Sequence, residues 1–300
     1  MALIDDLRRI ASGRVAQDEP MAGYTTLGVG GPADYFVEVM SEDELSSLMK
    51  YVTENGLEWM IIGDGANLLI SDKGIRGIVI RLGEEFSKIE VDGMRITAGS
   101  SARISKVADV AAKNDLSGLE GVGTVPGSVG GAIVMNAGTH RGYIDEVTHS
   151  VRVVTYTGEK RVLSKAECGF TYRNSRFQWD RTMIITYAVF NMRRGDGAAI
   201  QEHLDSVRKH RAETQPQGKS AGCFFKNPTG LSAGKLIEGA GCKGWREGGA
   251  VVSGIHGNFI MNADNATATD LYMLAERVRD QVREVHGIEL EYEVRLIGEW

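Results

Sequence analysis

The sequence predicts an α+β protein of two or three packed domains, and three observations support this. Strand-like and helix-like segments follow one another without regular alternation, which argues against a repetitive βαβ wind. The chain has 300 residues, more than one simple core accommodates. Its 38 glycines stand against 5 prolines and gather in a few segments, so tight turns and close backbone approaches are concentrated there.

The elements follow in order. MALIDDLRRIASG reads as an amphipathic helix with acidic residues early and arginines late, as the helix dipole favours. Tyr35–Met40 reads as a strand, and Ser41 as the N-cap of a helix running to about Asn55 and closed by Gly56. Trp59–Ile62 is a short apolar strand that runs into Gly63–Asn67 and then apolar Leu68–Ile70. Gly77–Arg81, Phe86–Val91 and Arg95–Ala98 read as strands with turns at Gly83 and Asp92-Gly93. Ser105–Asn114 is a helix, and Gly118 to Gly142 is the densest glycine region. Val147–Tyr156 and Lys160–Leu163 form a hairpin around Thr157-Gly158, and Met183–Met192 is a further strand.

Arg193–Gly197 is the most linker-like stretch and the expected domain boundary. Beyond it, 198–213, 232–240 and 267–285 carry apolar residues at helical spacing. Leu290–Ile297 alternates as a strand with Glu291, Glu293 and Arg295 on one face. The expected organisation is a lead-in over 1–29, a domain over 30–195 with lobes at about 30–100 and 101–195, and a C-terminal domain over 196–300.

Bulk properties exclude several classes. A net charge of -6 disfavours nucleic acid and anionic membranes as partners, although a local positive site can still hold a small anion. No apolar run approaches ~20 residues, so no membrane span is expected. Cys168, Cys223 and Cys242 form no CxxC pair, which fits a reducing compartment. The N-terminal segment lacks the apolar block of a secretory signal, so a cytoplasmic protein is expected; it is also expected to be a monomer. The six histidines show no HExxH or similar spacing, and no catalytic metal is expected.

The glycines point to a nucleotide. Gly28–Ala33 formally matches G-x-G-x-x-A, but a strand pattern follows Pro32 where a dinucleotide site needs a helix, so this match is set aside. No G-x-x-x-x-G-K-[ST] occurs. Gly63–Asn67 ends an apolar strand, and its small residues let successive N–H groups face an anion. In Gly118–Gly138, Pro126-Gly127 makes a turn and Ser128 caps a short helix over Val129–Asn136, whose first amides form an anion site. Each segment read singly is equally an ordinary turn; two of them with strands between favour a bound dinucleotide.

GDGANLLIS, GLEGVGTVPGSVGGAIVMNAG, FTYRNSRF, SAGCFFKNPTG and EYEVRLIG occur in that order between about Thr25 and Ile297. This ordered set resembles the UDP-N-acetylmuramate dehydrogenase family, the UDP-N-acetylenolpyruvoylglucosamine reductases of peptidoglycan precursor synthesis. The resemblance implies a two-lobed FAD-binding fold of the vanillyl-alcohol-oxidase (PCMH) type, followed by an α+β substrate-binding domain. It implies FAD, NADPH as electron donor, and reduction of UDP-N-acetylglucosamine enolpyruvate to UDP-N-acetylmuramate; no His or Cys precedes these segments in a pattern suited to covalent flavin attachment, so the FAD is expected to be noncovalent. The resemblance places the FAD pyrophosphate along Gly63, Asp64, Gly65, Ala66, Asn67 and Leu68. Thr124, Pro126, Gly127, Ser128, Gly130, Gly131, Asn136, Ala137 and Gly138 then surround the flavin end. The short Arg176–Thr182 connection resembles the family's shorter type, without an extra substrate loop. Other readings remain: another FAD oxidoreductase of this fold acting on a small alcohol, or a non-catalytic FAD or nucleotide-sugar binder.

Three residues are expected to carry the chemistry. Arg173, in YRNS, supplies a guanidinium that pairs with a carboxylate as charge builds on it; read singly it is an ordinary surface arginine. Glu293 is by itself a solvated strand carboxylate, and the resemblance makes it the group that helps polarise the substrate. Cys223 stands where the family usually carries a serine as proton donor. A thiol is mostly protonated at neutral pH yet far more acidic than a hydroxyl, so Cys223 is expected to deliver the proton; the alternative is a packing cysteine. Tyr172, Lys226, Asn227, His256 and Asn258 are expected substrate contacts, with Lys219, Arg211 and Gln215 nearby in sequence. His256 reads equally well as a structural histidine, because Gly254-Ile255 replaces a charged pair that the family more often places before it.

Overall fold

The computed structural model describes residues 3–139 and 141–300. The chain folds as two compact units built from interleaved segments. The first holds the chain up to Gln17, then Tyr35–Asp64 and Gly77–Arg208; the second holds Asp18–Asp34, Gly65–Arg76 and Lys209–Trp300. The expected division into consecutive stretches is continuous in sequence, whereas these units are not.

The first unit contains two separate cores. One is covered by helices α1 (Leu3–Ile10) and α2 (Glu42–Glu54). Met1 and Ala2, part of the expected first helix, lie outside the described residues. α2 begins because the Ser41 hydroxyl accepts from the Glu44 N–H at 3.2 Å and three acidic residues occupy the first turn. Leu45, Leu48, Met49 and Val52 make its buried stripe, and Gly56, at φ +61°, ends it. They pack on a four-stranded sheet ordered Val15–Pro20, Pro32–Val39, Ile75–Leu82, Trp59–Ile62, whose last pair is parallel.

The other core lies on an antiparallel five-stranded sheet ordered Lys160–Ser164, Thr148–Thr155, Met183–Asn191, Arg95–Gly99, Ile89–Asp92. Helices α3 (Ile104–Lys113) and α4 (Val129–Met135) contribute Val107, Ala108, Ala111 and Ile133 to it. The expected strand Phe86–Val91 is shorter than its apolar pattern suggests. Phe86 is fully buried in a 3-10 turn over Glu84–Ser87, and the strand starts at Ile89.

The expected linker is also ordered. Arg193-Arg194 pairs antiparallel with Leu116-Ser117, and the Gly195 N–H donates to Asp115 O at 2.9 Å. Helix α5 (Gly197–Thr214) follows at once, its first amides held by the Asp196 carboxylate.

In the second unit, helices α6 (Ala233–Gly239) and α7 (Ala268–His286) cover a sheet ordered Arg246–Glu247, Ala250–Val252, Ile260–Asn262. α7 starts at a capping box between Thr267 and Asp270 and ends at Gly287 in the left-handed region. Leu271, Leu274, Ala275, Val278 and Val282 form its fully buried face.

The terminal segment corrects its expectation. Only Arg295–Ile297 is a regular strand, parallel to Leu68–Ile70. Just before it, Phe225 pairs with Tyr292, and the Phe224 carbonyl accepts from both Glu293 N–H and Val294 N–H, at 3.0 and 3.3 Å. Two residues thus stand opposite one, a bulge that breaks the simple alternation of Glu291, Glu293 and Arg295. Among the described residues no helix is long and apolar enough to cross a membrane.

Candidate active site

In the first unit the glycine segment wraps the start of α4. The Ser128 hydroxyl caps this helix by accepting from the Gly131 N–H at 3.3 Å. Small residues are required on both sides of it. A Cβ on Gly63 would stand 2.8 Å from Ser128 Oγ, and one on Gly130 would stand 3.0 Å from Ser100 Cβ. Gly127 adopts φ +123°, a conformation closed to ordinary side chains. Asn136 closes α4 in the left-handed region, and its amide spans Thr171 O at 3.0 Å and Asp145 N–H at 3.3 Å. Ala137 is buried behind it.

Two buried hydroxyls here, Thr124 Oγ1 and Ser100 Oγ, have no hydrogen-bond partner among the described residues. Buried polar atoms ordinarily find partners. Orphaned hydroxyls beside backbone kept clear of Cβ atoms fit a polar ligand lying close against the chain, as a flavin dinucleotide would.

Arg173, on a separate turn, reaches this segment. Its Nη2 donates to Gly138 O at 2.8 Å, and its guanidinium lies 5.8 Å from the Tyr143 ring centroid and 5.5 Å from that of Tyr172. The residue adopts φ +52°, a strained conformation for arginine. A tight turn imposes it: Thr171 and Asn174 exchange backbone hydrogen bonds at 3.0 and 3.1 Å. The turn is tied to α4 through Ser175 Oγ and Val134 O at 2.7 Å, and Gln178 Nε2 donates to Arg173 O at 2.8 Å. Tyr172 is half exposed.

Of the expected pyrophosphate segment, Gly63 and Asp64 belong to the first unit, where Asp64 faces Arg103 at 3.9 Å. Gly65, Ala66, Asn67 and Leu68 belong to the second. Gly65 adopts φ +60°, and a Cβ there would meet Tyr24 O at 2.0 Å. Asn67 reaches the other end of the chain: its Nδ2 donates to Glu293 O at 2.9 Å, and its carbonyl accepts from Arg295 N–H at 3.0 Å.

The second unit carries Cys223 and Glu293 on paired segments. The Lys226 N–H donates to Glu291 O at 2.8 Å, and the Glu293 N–H to Phe224 O at 3.0 Å. Cys223 follows Gly222, which adopts φ +76°. It is the partly exposed cysteine; Cys168 and Cys242 are buried, and burial pushes both thiols up to about 11.

Arg211 is a residue that sequence reasoning noted without assigning. Ile200, Leu204 and Val207 form the buried stripe of α5, and Arg211 occupies the next position of that stripe. Burial pulls its guanidinium below the ordinary value, and the charge of Cys223 as thiolate opposes that shift. A cation one turn beyond an apolar stripe was the available signal.

The expected substrate contacts divide. Lys226 Nζ pairs with Glu291 at 3.1 Å and remains partly exposed. Asn227 is exposed, with Oδ1 accepting from Ala233 N–H at 2.9 Å. His256 is half-buried; its Nδ1 accepts from Asn258 N–H at 3.2 Å, its ring meets Phe259 edge-on, and burial followed by Lys243 lowers its pKa.

Asn258 lies deeper than the other four. It is 1% exposed, and its amide is spent on the Phe225 backbone, accepting from N–H at 2.9 Å and donating to the carbonyl at 2.7 Å. It secures the Cys223 segment. Among the described residues no group of three or more His, Cys, Asp or Glu side chains could hold a metal ion.

The class of protein follows first. An FAD-binding-domain model matches residues 33–164. A solved glucose dehydrogenase, Phl p 4.0202, overlays on 63% of this chain and 43% of its own with a TM-score of 0.51 at 15% identity, a likeness in fold alone. The chain has the two-lobed FAD-binding fold of the vanillyl-alcohol-oxidase type, with a further α+β portion.

The particular family follows from the rest of the chain. The model described as UDP-N-acetylenolpyruvoylglucosamine reductase, C-terminal domain, matches residues 214–297. The reductase of Halalkalibacterium halodurans is 39% identical over 298 residues, 99% of each chain. That of Heliobacterium modesticaldum is 42% identical, over 96% of this chain and 92% of its own. The crystal structure of the Thermus caldophilus enzyme overlays with a TM-score of 0.82 at 36% identity, covering 95% of this chain and 98% of that one. The chain belongs to the UDP-N-acetylenolpyruvoylglucosamine reductase family.

Proposed function

We infer that this chain reduces UDP-N-acetylglucosamine enolpyruvate to UDP-N-acetylmuramate, a step in peptidoglycan precursor synthesis, with NADPH as electron donor and FAD bound noncovalently. FAD, when bound, supplies the two-electron reduction. The protein supplies binding, charge and one proton.

Arg173 is the fixed cation for the substrate carboxylate. Its guanidinium is held by Gly138 and two tyrosine rings, so little reorganisation accompanies the growth of negative charge. Cys223 delivers the proton from Sγ to the carbon bearing that carboxylate, and the resulting thiolate is stabilised by the Arg211 guanidinium. Glu293 helps polarise the substrate, its backbone pinned by Asn67 and Phe224. Tyr172, Lys226, Asn227 and His256 are the remaining candidates for substrate contact. The cysteines and the nucleotide-linked substrate suit the cytoplasm, and a monomer suffices for this chemistry.

The observation that carries the chemical reading is the Cys223 environment: a partly exposed thiol on a segment bonded to that of Glu293, within electrostatic range of the half-buried Arg211 guanidinium. The test separates two half-reactions. NADPH should bleach the yellow protein, and the enolpyruvyl UDP-sugar should restore the colour. Cys223→Ala should bleach normally but recover ~10²–10⁴-fold more slowly, the usual worth of a positioned proton donor. Cys223→Ser should retain substantial turnover. Normal recovery in Cys223→Ala removes the thiol from the mechanism, and failure of the substrate to restore the wild-type colour sinks the whole reading.

A further inference from the structure

We propose that Tyr292, Glu276 and Arg279 form a positioning network that fixes the segment presenting Cys223 and Glu293 and thereby sets the rate of proton delivery without touching substrate. This rests on the proton-delivery roles inferred above for those two residues.

The Tyr292 ring stacks on Phe225, with centroids 5.3 Å apart and planes 30° apart, and meets Phe224 at 6.1 Å. Phe224 and Phe225 directly follow Cys223, and Glu293 directly follows Tyr292. One aromatic cluster therefore underlies both reactive side chains. The phenol of Tyr292 donates to the Glu276 carboxylate. Burial and that hydrogen bond raise the phenol's pKa far above its usual range, so it remains a donor at any working pH.

Arg279 completes the arrangement from α7. Its Nε donates to Leu290 O at 3.0 Å, Nη1 to Glu276 at 2.7 Å and Nη2 to Glu289 at 3.1 Å. Its guanidinium also lies 5.1 Å from the Tyr292 ring centroid. Every nitrogen of one rigid fork is thus directed at residues 289–292 or at the group that binds Tyr292.

Docking of α7 does not need this. Its six fully buried apolar residues already hold the helix, and a phenylalanine at 292 would fill the same space with no hydroxyl to satisfy. The polar network adds something that packing does not, a defined register for the stretch that ends in Glu293. Errors of ~1 Å in such a register cost ~10²-fold in rate.

The experiment compares Tyr292→Phe, Glu276→Ala and Glu276→Gln as FAD-loaded proteins, with rates expressed per bound flavin. NADPH bleaching should match wild type in all three. Recovery with the enolpyruvyl UDP-sugar should slow ~10–100-fold in Tyr292→Phe and Glu276→Ala, with KM for the sugar changed less than ~3-fold. Glu276→Gln keeps an acceptor for the phenol and should recover faster than Glu276→Ala. A purely structural role would lower flavin content or melting temperature and leave the rate per flavin intact, and that result overturns the proposal. Should Tyr292→Phe fail to fold, the two Glu276 variants on the partly exposed face of α7 decide between the same two outcomes. Cys223→Ala run alongside separates the two ideas: normal recovery there defeats the proton-donor reading, whereas slow recovery there with normal rates in the network variants defeats only the network.

Discussion

Replacing Asn258 with alanine tests whether this residue holds the Cys223 segment or binds substrate. The side chain makes two hydrogen bonds to the Phe225 backbone, at 2.9 and 2.7 Å, in a place where Asn258 is 1% and Phe225 0% exposed. Truncation leaves one N–H and one carbonyl buried and unpaired, at about 1–3 kcal/mol each, or about 2–6 kcal/mol together. Against a total stability of about 5–15 kcal/mol that is a large fraction. At roughly 2–4 °C per kcal/mol for folded units of this size, the melting temperature should fall by about 4–24 °C. Asn258→Asp should do no better, because a carboxylate oxygen would replace the donor facing the Phe225 carbonyl. The assay is a thermal melt at saturating FAD together with KM for the enolpyruvyl UDP-sugar. A melting temperature within about 2 °C of wild type with a strongly raised KM would refute the structural assignment and return Asn258 to the substrate contacts.

Thr124→Val removes a hydroxyl that has no partner among the described residues, so folding of the FAD-free chain should be unharmed while FAD binding weakens about 5-fold, the worth of roughly 1 kcal/mol for one hydrogen bond. Titrating flavin fluorescence against the FAD-free variant measures this, and an unchanged affinity removes Thr124 from the FAD site. The buried thiols of Cys168 and Cys242 predict an alkaline limit. Their folded values of about 11 lie above the ordinary thiol value, so the folded chain holds these protons more tightly than the unfolded chain does. The associated stability is fully present at neutral pH and is lost as pH rises through the window from about 9 to about 11. Urea midpoints should fall less steeply across that window in Cys168→Ala/Cys242→Ala than in wild type; parallel slopes would contradict the assignment.

The elements legible in the sequence were those with a complete local signature. α2 has its cap, acidic first turn, apolar stripe and closing glycine within sixteen residues of sequence, and each signal agrees with the others. α7 and the short α4 were legible for the same reason, with Ser128 and Thr267 acting as caps. What misled was apolar periodicity without a pairing partner. Phe86 is apolar because it plugs a core from a 3-10 turn, and Leu290–Val294 alternates without forming a regular ladder. The pairing of Arg193-Arg194 with Leu116-Ser117 spans some 77 residues, and no local pattern records a bond at that range. For the same reason the interleaving of 18–34 and 65–76 with the C-terminal third was not legible.

The proposed site residues were harder to place than the helices because each occupies a backbone irregularity. Arg173 adopts φ +52°, Cys223 follows a glycine at φ +76°, and Glu293 sits in a bulge opposite Phe224. Regular periodicity assigns a side chain to one face of an element, whereas these three are aimed by departures from it. Such departures persist only when surrounding bonds over-determine them. Around Arg173 the Thr171–Asn174 exchange, Ser175 and Gln178 do this; around Glu293 the constraint comes from Asn67 and the Phe224 carbonyl. These supporting residues bear ordinary amide and hydroxyl side chains in sequence and acquire meaning only through long-range partners. Their loss should therefore damage the chemistry more than their modest exposure and polarity suggest.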